Sequence, residues 1–191
     1  MLIRKTVGAV LLSLCLTTFA TAQQNTSPSQ TSPQTEARIQ KEVRHEILML
    51  PWYGVFDVIG YQVNGATVTL TGSVVKPVTK SDAENAVKRI EGVESVTNQI
   101  DVLPPSSMDD RLRIRLFRAI YGFPSLQKYD LGTIKPIRII VKSGRVDLQG
   151  VVDNQGDKDT AGIRANSVSG IFEVKNNLQV VPQEDGSKKK K

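Results

Sequence analysis

The sequence predicts an α+β protein built from two tandem αββαβ domains, each a three-stranded mixed sheet with two helices on one face. Three observations predict it. The run VTLTGSV at Val68 to Val74 returns as VDLQGVV at Val146 to Val152, and at the same offset Gly92 meets Gly170 and Asn98 meets Asn176. Upstream, a slightly shorter offset pairs Ile39, Val43, Ile47, Pro51 and Asp57 with Leu112, Leu116, Ile120, Pro124 and Asp130. Self-similarity at a fixed spacing marks a duplicated unit, and the change of offset puts a short insertion around Gly132 to Ile137. Within each copy the apolar period switches between that of a helix and that of a strand.

The elements follow in order. Residues 36–50 carry Ile39, Val43, Ile47 and Leu50 at helical spacing, as residues 109–121 carry Leu112, Leu116 and Ile120. Pro51 and Pro124 end these helices, since proline lacks the N–H and restricts the residue before it. An extended run from Val58 to Val63, the pair Asn64-Gly65 and the alternating Thr67 to Val74 read as a hairpin, because Asn-Gly accepts the positive φ of a tight turn. Ser143-Gly144 is the weaker equivalent. Ala83, Ala86, Val87 and Ile90 define a second helix, matched by Ala161, Ala165 and Val168. A last strand, 95–102 or 173–181, arrives by a helix crossover. A domain of this size has a small core, so the copies are expected to lean on each other.

The expected organisation is a signal peptide at 1–22, a disordered linker at 23–35, domain 1 at 36–103, a linker at 104–108, domain 2 at 109–182 and a basic disordered tail at 183–191. The leader rests on Arg4 and Lys5, the apolar Val7 to Leu16 and the small-x-small Ala20-Thr21-Ala22. Its apolar stretch is too short for a membrane span of about 20 residues. Cys15 follows Leu14 where a lipoprotein signal carries a small residue, so a cleaved, exported product without cysteine is expected over a lipid-anchored one. The 23–35 segment, QQNTSPSQTSPQT, has nothing apolar to bury. Pro104-Pro105 interrupts any ladder or helix.

The net charge of +6 lies at the ends of the chain. Setting aside Arg4, Lys5 and Lys188 to Lys191 leaves basic and acidic residues equal in number. Nucleic acid, which needs a basic footprint on a folded surface, is therefore not an expected partner. The one histidine, His45, sits among Glu42, Arg44 and Glu46, where it reads as solvated. Asp153, Asp157 and Asp159 lack the spacing of an EF-hand and read as a polar loop entering a helix. With no phosphate-binding glycine loop and no nucleophile elbow, neither catalysis, nor a cofactor, nor a metal is legible.

The strand pattern at Val68, Leu70 and Gly72, with Gly92, Val93, Val96, Asn98 and Ile100, resembles the BON domain, named for bacterial osmotically induced periplasmic proteins and nodulation proteins. Val146, Leu148, Gly150, Gly170, Ile171, Val174, Asn176 and Leu178 repeat the pattern. The resemblance covers residues 37–103 and 109–181. It implies a periplasmic or envelope-associated, non-enzymatic protein that binds phospholipid or acts in stress protection, and it carries no catalytic residue. The four glycines have an architectural reading: a bulge or close approach at Gly72 and Gly150, and positive φ after a helix at Gly92 and Gly170.

The two first helices differ on their outer side. Domain 2 places Ile114, Phe117 and Tyr121 opposite its core face, bordered by Arg111, Arg113, Arg115 and Arg118; domain 1 has Lys41, Arg44 and Leu48 there. Aromatics between arginines suit an anionic phospholipid surface, with guanidinium on phosphate and rings at the interface. The same stripe also fits packing between the domains, or a chaperone or adaptor surface for an envelope protein. Trp52, Tyr53 and Phe56, like Phe123, Leu126 and Tyr129, are expected to cap the core.

Overall fold

The computed structural model describes residues 32–181. The expected leader, most of the tether and the basic tail lie outside the described residues. Helix α1 spans Pro33–Leu48, with Ser32 as its cap: the Ser32 side chain accepts the Thr35 N–H, and Pro33 fits the first turn, where its missing donor costs nothing. The helix thus claims the last residues of the expected tether. Strands β1 (Val58–Asn64) and β2 (Thr67–Val74) follow, then α2 (Pro77–Lys88), β3 (Ser95–Asn98) and β4 (Asp101–Val102). The second copy repeats this as α3 (Ser107–Tyr121), a 3-10 helix (Pro124–Asp130), β5 (Ile137–Lys142), β6 (Arg145–Val152), α4 (Gln155–Asn166) and β7 (Glu173–Val180).

In each copy the second strand is central. β1 pairs antiparallel with β2, and β3 and β4 pair parallel with β2; β5, β6 and β7 repeat the arrangement. The expected last strand of copy one is broken at Gln99-Ile100, although the Gln99 N–H still bonds the Leu70 carbonyl at 2.8 Å. The hairpin turn also sits one residue later than Asn-Gly suggests. Asn64 pairs with Thr67, leaving Gly65 and Ala66 as the central residues, with Gly65 at φ 60°. In copy two Ser143 and Gly144 both take positive φ, at 53° and 73°. Gly72 and Gly150, at φ 112° and 116°, lie where the hairpin backbones touch. A Cβ on Gly150 would stand 1.9 Å from the Pro136 carbonyl oxygen.

Each sheet buries one face under its two helices. Ile39, Val43 and Ile47 of α1 and Ala83, Ala86 and Val87 of α2 close over Val63, Val68, Leu70 and Val74. Leu112, Leu116 and Ile120 with Ala161 and Ala165 cover Ile137, Ile139, Val141, Val146 and Leu148. Each aliphatic side chain fully buried this way contributes about 1.5–3 kcal/mol.

The duplication also preserves hydrogen bonds. Glu36 and Asp109, at equivalent places in the first turns of α1 and α3, take the turn amides of their own hairpins. Glu36 accepts the Gly65 N–H, and Asp109 accepts those of Ser143 and Gly144 at 2.8 and 2.9 Å. Asn98 and Asn176 tie the last strand to the second helix through the Lys80 and Lys158 carbonyls. Elsewhere the task is kept and the residue changes. The Val75 N–H is held by the Asp57 carboxylate, whereas its counterpart on Asp153 is held by the Tyr129 hydroxyl. Burial pushes the Asp57 carboxyl up from its ordinary value, against the pull of the Gly54 and Val75 amides and of Arg138 and Arg113. Asp130, its partner in the repeat, is exposed and pairs with Lys135.

The copies meet through the segment after α1. Val55 gives its carbonyl to the Ile139 N–H at 3.0 Å, and Val55 and Phe56 pack on the copy-two core. Arg138 donates to the Gly54 carbonyl at 2.7 Å and stacks over the Tyr53 ring at 4.5 Å. Lys142 and Asp101 pair across the joint at 2.6 Å.

Candidate functional site

Helix α3 carries the residues singled out by sequence, and the structure divides them. Ser106 caps it by accepting the Asp109 N–H at 3.2 Å, and Asp109 and Asp110 in the first turn favour its positive end. Leu112, Leu116 and Ile120 face the core as expected. Tyr121 does not belong to an outer stripe. It is 2% exposed, and its hydroxyl donates to the Ile137 carbonyl at 2.6 Å and accepts the Ile137 N–H at 3.1 Å. Burial raises its phenol above the ordinary tyrosine value. Arg113 also leaves the surface: 3% exposed, it bonds Asp110 at 2.5 Å and the Val141 carbonyl at 2.7 Å. The physical reason is shared. β5 is an edge strand, and its outward backbone groups must find partners; Tyr121 and Arg113 supply them.

What remains outside is a narrower surface. Arg111, Arg115 and Arg118 recur at helical spacing on the exposed side of α3, with Ile114 between them at 48% exposure. Among the described residues no carboxylate lies within ion-pair reach of these three guanidiniums. Arg115 makes one neutral contact, to the Ser169 hydroxyl at 3.4 Å. In copy one the counterpart of Arg111 is Arg38, which pairs with Glu42 at 3.0 Å. Phe117 is half-buried, its ring 4.9 Å from that of Tyr121. It lines a shallow cavity of about 450 Å³ with Arg118, Gln127 and Leu131. Sequence reading passed over Leu131, which stands almost fully exposed at the end of the 3-10 helix, just before the inserted loop; an apolar residue between Asp130 and Gly132 was the available signal.

Two other expectations have a physical outcome. Asp157 and Asp153 hold Lys128 at 2.7 and 2.8 Å, while Asn154 caps α4 by accepting the Asp157 N–H. Burial pushes the Asp157 carboxyl up, but Lys128, Tyr129 and Asn154 together hold it below its ordinary value. The group is an N-terminal anchor for α4. Among the described residues, no cluster of His, Cys, Asp and Glu could hold a metal, and no helix is long and apolar enough to cross a membrane. Trp52 does not cap the core; it is 54% exposed.

Comparison with known proteins bears on the whole arrangement. A profile described as the BON domain matches residues 35–104 and 126–182. The osmotically-inducible protein Y of Escherichia coli (strain K12) is 29% identical over 134 residues, covering 63% of this chain and 61% of that relative. Two solved chains of CdsD, a structural protein of the type III secretion system of Chlamydia trachomatis, align at 15% identity. One alignment covers 78% of this chain and 95% of the other with a TM-score of 0.29; for the C-terminal domain the values are 74%, 96% and 0.27. These scores are too low to bear on fold or function.

Proposed function

This chain belongs to the BON-domain family, and we propose that it is a non-enzymatic, periplasmic stress protein that docks on anionic phospholipid surfaces through α3. The BON assignment and the osmotically inducible relative support an envelope stress role. One observation carries the lipid reading: Arg111, Arg115 and Arg118 form an exposed row without carboxylate partners among the described residues, and Ile114 stands among them. Surface arginines left unpaired are available for phosphate, which the planar guanidinium binds through two parallel bonds. The half-exposed Ile114 supplies apolar contact at the headgroup boundary.

Each basic side chain near an anionic membrane contributes about 1 kcal/mol, so Arg115→Glu/Arg118→Glu, which removes two attractions and adds two repulsions, weakens binding by roughly 30- to 1,000-fold. Co-sedimentation of the folded protein with neutral and anionic liposomes tests this. The expected result is binding that needs anionic lipid, weakens with salt, is lost in the double variant and survives deletion of Lys188 to Lys191. Folded protein that stays in the supernatant with anionic liposomes refutes the reading. A client protein seated at the same place is favoured by the cavity beside Phe117 and Leu131. That alternative predicts binding indifferent to the charge reversal.

A further inference from the structure

Copy one carries an apolar rim that neither the core nor the joint uses. Pro51 ends the run from α1, and the following Trp52 turns outward to 54% exposure. Met49, three residues before it, is 67% exposed, and Val78 in the first turn of α2 is also exposed. These residues gather at the start of α2: Met49 lines one cavity with Asp82, a turn after Val78, and the Lys76 ammonium, two residues from Val78, lies 3.8 Å from the centre of the Trp52 ring. Among the described residues Lys76 has no carboxylate partner. Exposed Trp, Met and Val beside an unpaired ammonium make a surface that is apolar in body and cationic at its edge. An indole ring beside a cation whose apolar stem can lie along lipid suits the headgroup boundary.

The rim is mechanically tied to α3. Val55, three residues beyond Trp52, bonds Ile139, and Ile137 on the same strand bonds Tyr121 at the end of α3. A strand advances only about 3.3 Å per residue, so the rim and the arginine row are held on one short frame. We propose that the Trp52 rim is a second membrane contact, apolar where α3 is electrostatic, that engages anionic phospholipid once α3 has docked. The proposal rests on the lipid reading of α3. A second contact on the same rigid frame forms at high effective concentration and needs little intrinsic affinity of its own.

Trp52 is the only tryptophan in the chain, so the intact protein carries its own reporter. The experiment combines co-sedimentation with tryptophan emission on phosphatidylcholine–phosphatidylglycerol vesicles, with and without bromine-labelled acyl chains. The expected result is a blue shift and bromine quenching on binding. Met49→Gln/Val78→Thr, which removes apolar contact without adding charge and leaves both the core and the reporter in place, should lower partitioning roughly tenfold. Protein that pellets with vesicles while Trp52 stays unquenched and the double variant binds normally overturns this inference and leaves the α3 reading standing. Folded protein that does not pellet at all overturns both.

Discussion

Tyr121→Phe separates a buried strut from a surface contact. The hydroxyl is the only atom removed, and it serves two backbone groups of the fully buried Ile137, donating to the carbonyl at 2.6 Å and accepting the N–H at 3.1 Å. A buried polar group left without its partner costs about 1–3 kcal/mol, so losing both bonds costs roughly 2–4 kcal/mol. In a fold of this size that lowers the thermal midpoint by roughly 5–15 °C. Alkaline pH gives an independent check. Because burial holds the phenol above its ordinary value of 10.0, the neutral side chain contributes its stability in full below that pH. The contribution is lost as pH rises past 10.0 toward the folded value. Thermal melts followed by circular dichroism, at neutral pH and up to pH 11, measure both effects. The wild type should lose stability above about pH 10 more steeply than Tyr121→Phe. Vesicle binding of the variant, measured below its midpoint, should match the wild type. A variant that melts like the wild type and loses vesicle binding refutes the burial argument and returns Tyr121 to the contact surface.

Gly150→Ala, which drives a Cβ to 1.9 Å from the Pro136 oxygen at φ 116°, should cost at least about 3 kcal/mol in urea denaturation. Gly170→Ala, whose nearest neighbour is the Arg115 side chain at 3.5 Å, bears only the positive-φ strain of about 1 kcal/mol; equal losses at the two glycines would contradict this. Asp157→Asn should flatten the acid limb of the stability profile. The wild-type carboxyl is held below its ordinary 3.8, so its contribution is present above that pH and disappears as pH falls through the lowered value. Lys142→Ala, at an exposed pair with Asp101, should change stability by less than about 1 kcal/mol in the same denaturation series.

The architecture was legible because it is written in periodicity and repetition. Ile39, Val43 and Ile47 at helical spacing, the alternation through Leu70 and Leu148, and paired glycines all report on backbone and burial, which local pattern encodes. Much less of the site was legible. Ile114, Phe117 and Tyr121 have the same spacing argument in their favour, yet they split into exposed, half-buried and buried, because what decides among them is β5. Its outward backbone groups need partners, and nothing in the helix sequence announces which side chain will turn back to serve them. Arg113 was drawn inward for the same reason. The tyrosine at position 129 doing the work of the aspartate at 57 was hidden by the alignment of the repeats, which matched Asp57 with Asp130. Trp52 was misjudged because composition argues that a small domain needs its aromatics inside, and here Tyr53 and the aliphatic core suffice.

The joint between the copies has a bearing on how the chain avoids itself. β5 reads Ile-Arg-Ile-Ile-Val-Lys, an apolar, β-favouring strand at the margin of its sheet, the kind of segment that templates cross-strand addition when left open. It is sealed at alternating positions: Tyr121 covers Ile137, Val55 of the preceding copy covers Ile139, and Arg113 covers Val141. Copy one therefore acts as a gatekeeper. A chain severed at Pro104-Pro105 would release a second copy with the middle of its three covers gone and a sticky margin exposed, so tandem arrangement here guards against polymerisation as much as it adds surface.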